Sequence, residues 1–169
     1  MEERTGTVTF KGSPMTLEGP ELKEGAIAPD VTLTGQNMAL ISPLSHSEGK
    51  KKLIITVPSV DTSVCSLESK KFSEAAKGLG DSVAVYIVSA DLPFALNRWC
   101  AAEGVDNLTM ASDYRTMEMA RSWGLYIKEL GLFARAVYAL DENGVVIYRE
   151  VVSEIANEPD YDAALSAVR

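Results

Sequence analysis

Two runs of apolar, β-favouring residues constrain this chain most: Leu53-Ile54-Ile55-Thr56-Val57 and Val83-Ala84-Val85-Tyr86-Ile87-Val88-Ser89. Neither alternates with polar residues. A strand that is apolar on both faces has to be covered on both faces, so each run reads as a central strand of a layered sheet. Pro58 ends the first run. Between the two, Leu67, Phe72, Ala75, Ala76 and Leu79 recur at three-to-four spacing, with Lys70, Lys71 and Glu74 interposed. That is the pattern of an amphipathic helix over residues 62–79. Strand, helix and strand in this order imply parallel strands joined by a right-handed crossover.

The rest of the chain extends the pattern. Thr7-Val8-Thr9-Phe10 and Met15-Thr16-Leu17 around Gly12-Ser13 read as a hairpin over residues 5–18. Residues 31–34 and 38–41 flank Gly35-Gln36-Asn37 as a second hairpin. Residues 93–103 read as a helix with Pro93 near its first position and Gly104 at its end. Residues 108–111 form a short strand, and 114–123 a helix stopped by Gly124. Residues 136–140 and 145–148 enclose Asp141-Glu142-Asn143-Gly144 as a third hairpin, and 161–168 form a closing helix after Pro159-Asp160. The expected architecture is α/β: a mixed central sheet with helices on both faces and an added N-terminal β-hairpin. A length of 169 residues suits a single domain over 1–169, and 46% apolar residues suffice for a core without disulfide staples or a structural metal.

Charge and rare residues exclude whole classes. A net charge of −8 argues against a general nucleic-acid binder and against docking on an anionic membrane. His46 is the only histidine and sits in a Ser/Pro-rich stretch that reads as a solvated loop. Cys65 and Cys100 lack the paired spacing of metal ligands. No metal and no cofactor is therefore expected. The N-terminal residues carry no apolar export segment, and no run approaches the roughly 18 apolar residues of a membrane span. The expected location is the cytoplasm, a reducing compartment where a disulfide is more often catalytic than structural.

The most informative stretch is Pro58-Ser59-Val60-Asp61-Thr62-Ser63-Val64-Cys65. A buried strand ends, proline turns the chain, and a helix begins near Thr62. Thr62 or Asp61 can cap that helix, which puts Cys65 in or near its first turn. The unpaired N–H groups there favour an anion, and a thiolate is the anion on offer. Asp61 and Asp91 read as turn and cap residues.

These residues resemble the active-site motif PxxxTxxC of the peroxiredoxins, and the longer string resembles their thiol peroxidase subgroup, the atypical two-cysteine peroxiredoxins of bacteria. Ser89-Ala-Asp-Leu-Pro-Phe-Ala95 followed by Cys100, Ala134-Arg135-Ala136-Val137 and Glu158-Pro-Asp-Tyr161 are similar to that subgroup as well. The likeness runs over nearly the whole chain. It implies a thioredoxin-like fold. It implies that Cys65 is the peroxidatic cysteine, that Thr62 and Arg135 hydrogen-bond the thiolate and the peroxide, that Pro58 shields the thiolate from water, and that Cys100 resolves the sulfenic acid as an intramolecular disulfide. It also implies hydroperoxide substrates, thioredoxin as reductant and a homodimer. One departure is visible: Tyr126-Ile127-Lys128-Glu129-Leu130-Gly131 is shorter than the glycine-containing loop of the family.

Three other readings compete. A dithiol–disulfide oxidoreductase on the same fold would need a second cysteine three residues on, and Cys65 is followed by Ser66-Leu67-Glu68. A non-enzymatic redox sensor or interaction module would oxidise stoichiometrically without turnover. A cysteine acyl-transfer enzyme wants a paired histidine.

Overall fold

The computed structural model describes residues 1–105 and 107–169. Among them the chain forms β1 (Glu3–Phe10), β2 (Ser13–Glu18), β3 (Leu33–Gly35), β4 (Leu40–Ile41), α1 (Pro43–His46), β5 (Lys51–Thr56), α2 (Ser63–Ala76) and β6 (Val83–Ser89). There follow α3 (Pro93–Glu103), β7 (Thr109–Ser112), α4 (Glu118–Ser122), β8 (Tyr126–Ile127), β9 (Leu132–Phe133), β10 (Ala136–Leu140), β11 (Val146–Val151) and α5 (Tyr161–Val168).

The two apolar runs are the middle of a seven-stranded sheet with order β11-β10-β5-β6-β7-β3-β4 among the described residues. β5 and β6 pair in parallel with Leu53 opposite Val85 and Ile55 opposite Ile87, and β6 pairs in parallel with β7. β10 and β3 join the parallel core antiparallel. Side chains leave a strand on alternate sides. Leu53, Ile55 and Val57 pack with Phe72 of α2, Leu96 and Trp99 of α3 and Leu165 of α5. Ile54, Tyr86, Val88 and Tyr138 belong instead to a second cluster with Val8, Leu17, Ile127, Phe133, Met119 and Trp123.

That second cluster refines the expected picture. The N-terminal hairpin is present, closed by Lys11 and Gly12 at φ 50° and 82°. Both turn residues need positive φ, which suits the twist of a two-residue hairpin turn. β2 goes on to pair with β8, and β8 with β9, in a four-stranded sheet of order β1-β2-β8-β9. This small sheet and α4 cover one face of the main sheet, while α2, α3 and α5 cover the other. Residues 126–131, expected to be a short loop, therefore supply part of a cover.

Two other expectations are corrected. The helix over 114–123 is only Glu118–Ser122. Asp113 accepts the Met117 N–H on its carbonyl, at 2.8 Å, and the Ala120 N–H on its carboxylate, at 2.9 Å. Met117 then takes φ 52°, which a continuous helix cannot include. Leu67 does not face the core: it is 45% exposed, and the buried stripe of α2 is Cys65, Glu68, Ser69, Phe72 and Ser73. Among the described residues no helix is long and apolar enough to cross a membrane.

Candidate active site

β5 delivers the chain to one end of the sheet, where Val57 N–H still donates to Val88 O at 3.0 Å. Buried Pro58 then turns it. Ser59 O closes the turn by accepting from Thr62 N at 3.3 Å and from the Thr62 hydroxyl at 3.2 Å. Thr62 is the N-cap of α2, with extended backbone, and its hydroxyl oxygen accepts the Cys65 N–H at 3.1 Å. That fixes Cys65 as the third helical residue. Its side chain is fully buried. The Thr62 hydroxyl proton is committed to Ser59 O, so a rotation about one bond is what would turn it toward the thiol.

Arg135 arrives from the other side of the sheet, between β9 and β10, and is 1% exposed. Its Nε donates to Ile155 O at 2.8 Å and its Nη1 to Glu68 Oε2 at 2.5 Å. The same guanidinium lies close enough to Cys65 to interact with its sulfur. Burial works to lower the Arg135 pKa, but a Cys65 thiolate and the Glu68 carboxylate outweigh it and hold the cation firmly charged. A positive charge is thus fixed beside the thiol without any histidine. His46 lies elsewhere, exposed at the end of α1, where its Nδ1 shares a 2.6 Å hydrogen bond with the Tyr86 hydroxyl. It belongs to a single helical turn and not to a loop.

Glu68 is a site residue that sequence reasoning misses. It lies one turn beyond Cys65, is fully buried, and its Oε1 has no hydrogen-bond partner among the described residues. Burial raises its pKa against the pull of Arg135. The signal is present in the helical phase, since 65, 68 and 72 share a face; taking Leu67 as core rotates the assumed stripe and leaves Glu68 outside it.

Cys100 sits in the third turn of α3, 7% exposed, with Sγ 2.9 Å from the Met110 sulfur. Burial pushes its thiol up to about 11, with a Gln36 hydrogen bond acting the other way. Both cysteines are free thiols in the same apolar cluster. Each is held in an intact helix, and the helices touch one residue away from each, where Trp99 Nε1 donates to Ser66 Oγ at 3.3 Å. Among the described residues no group of three or more His, Cys, Asp or Glu is placed to hold a metal ion.

Residues 23–165 match the redoxin family model. The chain is 48% identical to a thiol peroxidase of Bacillus subtilis over 162 residues, 96% of each chain. It is 46% identical to a thiol peroxidase of Staphylococcus aureus over 163 residues, 96% of this chain and 97% of that one. A peroxiredoxin-like protein from Aquifex aeolicus superposes with a TM-score of 0.88 at 40% identity, over 98% of this chain and 95% of that one. A Chromobacterium violaceum thiol peroxidase, 21% identical, shares the fold with a TM-score of 0.83, over 92% and 91% of the two chains. A buried thiol on a capped helix start, faced by a fixed guanidinium, sits in a chain with these relatives: it belongs to the redoxin family, as a thiol-dependent peroxidase of the peroxiredoxin kind.

Proposed function

We propose that Cys65 is the peroxidatic thiol of this peroxidase and Cys100 its resolving partner. The observation that carries the reading is the Arg135 guanidinium set against Cys65 while anchored by Glu68 and Ile155 O. The Cys65 thiolate attacks the terminal peroxide oxygen. A sulfur–oxygen bond forms as the oxygen–oxygen bond breaks, and the departing alkoxide or hydroxide takes a proton from solvent. Negative charge grows on that leaving oxygen. Donors already aimed at it stabilise the transition state more than the ground state. Arg135 and, after its hydroxyl rotates, Thr62 are those donors. Buried Pro58 limits the access of water to the thiol.

The product is a sulfenic acid on Cys65. Cys100 then attacks its sulfur, the S–S bond forms, and the sulfenic oxygen leaves as water with the thiol proton. Burial keeps Cys100 a protonated thiol while α3 is intact, so it does not compete for peroxide. Bond formation needs the two Cα atoms within about 7 Å, which calls for local unwinding of both helices. The disulfide is returned to two thiols by the dithiol of thioredoxin.

Hydrogen peroxide and organic hydroperoxides are the substrates on this reading, and the setting is the cytoplasm. A homodimer is supported by Leu92, the N-cap residue of α3, and Phe94 in its first turn, 52% and 68% exposed. The test is an assay of hydroperoxide, this protein, thioredoxin, thioredoxin reductase and NADPH. Peroxide-dependent NADPH loss is expected, and its disappearance in Cys65→Ser; turnover that survives in Cys65→Ser would refute the assignment.

A further inference from the structure

The peroxide chemistry leaves one well-connected residue unused. Asp91 lies in the short link between β6 and α3, half-buried. Its carboxylate accepts three hydrogen bonds, from the Ser59 hydroxyl at 2.6 Å, from Val60 N–H at 2.9 Å and from the Ser89 hydroxyl at 2.6 Å. Its own N–H donates to Ser89 Oγ at 3.2 Å, and its carbonyl accepts from the Ser112 hydroxyl. Ser59 and Val60 belong to the turn that sets Thr62 and Cys65, whereas Asp91 leads directly into the helix that carries Cys100. One carboxylate therefore ties the peroxidatic turn to the start of the resolving helix.

Two other contacts join the same segments, and both are weaker. Asp61 and Arg98 pair at 3.0 Å, but their side chains are 59% and 67% exposed, so solvent and salt screen the attraction. The Trp99–Ser66 bond is a neutral one at 3.3 Å. Bonds to an ionised acceptor are roughly twice as strong as neutral ones. Asp91 gathers three.

We propose that Asp91 is a positioning residue that latches the peroxidatic turn onto the lead-in of the resolving helix, and so sets how often the two helices open for disulfide formation. The proposal rests on the roles given above to Cys65 and Cys100. It concerns a branch point. The Cys65 sulfenic acid either condenses with the Cys100 thiol, releasing water, or attacks a second peroxide. In the second route the sulfur gains one oxygen to become sulfinic acid and the peroxide leaves as water or alcohol. Only the first route needs the latch to open. A tight latch keeps Thr62 in place for the first peroxide but slows resolution. A loose one favours the disulfide.

The experiment uses Asp91→Asn and Ser59→Ala, with Asp61→Asn as a control on the exposed pair. Asparagine keeps the shape but loses the charge and one acceptor oxygen. Two quantities are read on the reduced, full-length chain. The first is hydrogen exchange over residues 59–66 and 91–103 compared with residues 83–88. The second is the hydroperoxide concentration that leaves half of the protein as sulfinic acid during turnover with thioredoxin. Asp91→Asn should exchange faster in the two latch segments alone, and should need about tenfold more peroxide for half-inactivation, the effect of losing a bond to a charged group. Ser59→Ala should move both readings the same way by less, and the double variant should fall short of the sum of the two effects. Asp61→Asn should stay within about twofold, as an exposed pair predicts.

Unchanged exchange and an unchanged sulfinic threshold in Asp91→Asn would overturn the latch. Should Asp91→Asn fail to fold, the same unchanged readings in Ser59→Ala would overturn it. Faster exchange in Asp91→Asn when the oxidised parent forms no Cys65–Cys100 bond would remove the resolving role of Cys100 and overturn the control of disulfide formation, leaving only a contact between the two segments.

Discussion

Replacing Arg135 by alanine should slow the reaction with peroxide and destabilise the fold, and the two effects should separate. The rate effect follows from losing a fixed charge-bearing donor, worth about 10²–10³-fold where one such donor is removed. The stability effect runs through Glu68. Its side chain is fully buried, Arg135 is its only hydrogen-bond partner among the described residues, and its second oxygen already lacks one. Without the guanidinium the carboxyl must take up a proton. The parent's carboxyl is itself raised to about 7 by burial, so the loss relative to the parent is small at pH 6 and reaches about 2 kcal/mol at pH 8.5. Breaking a buried ion pair by removing one partner costs about 3–5 kcal/mol in all. For a chain of this length about 3 kcal/mol corresponds to a fall of roughly 6–12 °C in Tm. The sign is definite. Burial already raises the parent's Glu68 to about 7, so parent and variant both hold the proton below that value and the variant's deficit grows as pH rises above about 7. Glu68→Gln in the Arg135→Ala background removes the buried acid. It should recover most of the Tm at pH 8.5 and flatten its pH dependence while leaving the peroxide rate low. Stopped-flow oxidation and thermal melts at pH 6 and 8.5 measure both. An Arg135→Ala protein that reacts at the parent rate would refute the electrostatic role, and a deficit equal at the two pH values would refute the coupling through Glu68.

Thr62→Val should cut the second-order rate with hydroperoxide by roughly 10- to 10³-fold through loss of a positioned donor, and cost about 1 kcal/mol through loss of the α2 cap; stopped flow and urea unfolding distinguish the two. Cys100→Ser should react once with peroxide at close to the parent rate, trap a sulfenic acid on Cys65, and fail to turn over with thioredoxin, as read by thiol counting and mass spectrometry. Asp113 is 2% exposed with one oxygen unpartnered, and burial pushes its pKa up to about 6 despite the Ala120 N–H bond. Its folded state therefore holds a proton longer than the unfolded state, so stability falls as pH rises from 3.8 toward about 6. Asp113→Asn should raise Tm at pH 8 and not at pH 4.

How much of the fold and site is legible in the sequence depends on the range of the interactions involved. The start of α2 is readable because a cap is local: Thr62 and Cys65 are three residues apart, and their hydrogen bond is the one their spacing predicts. β6, α3 and α5 run over the predicted residues, bounded by Pro93, by Gly104 at φ 66° and by the Asp160 cap. The helical pattern over-extends α4 because its start is set by the backbone of Asp113 and the positive φ of Met117, which propensity alone does not reveal. β8 and β9 escape a sequence reading because two-residue strands carry no periodicity and exist by pairing with the distant β2. Glu68 and Asp91 escape as site residues for a related reason. Their partners Arg135 and Ser59 stand 67 and 32 positions away. An isolated acid in a sequence reads as a solvated one.

Peptide mapping of the reduced protein after one equivalent of hydroperoxide tests the pairing of Cys65 with Cys100 at its source. The expected product is a chain that has lost two hydrogens, stays monomeric under non-reducing conditions and yields one linked pair of peptides containing Cys65 and Cys100. A covalent dimer, or an oxidised Cys65 beside a Cys100 that remains a free thiol, would contradict the mechanism.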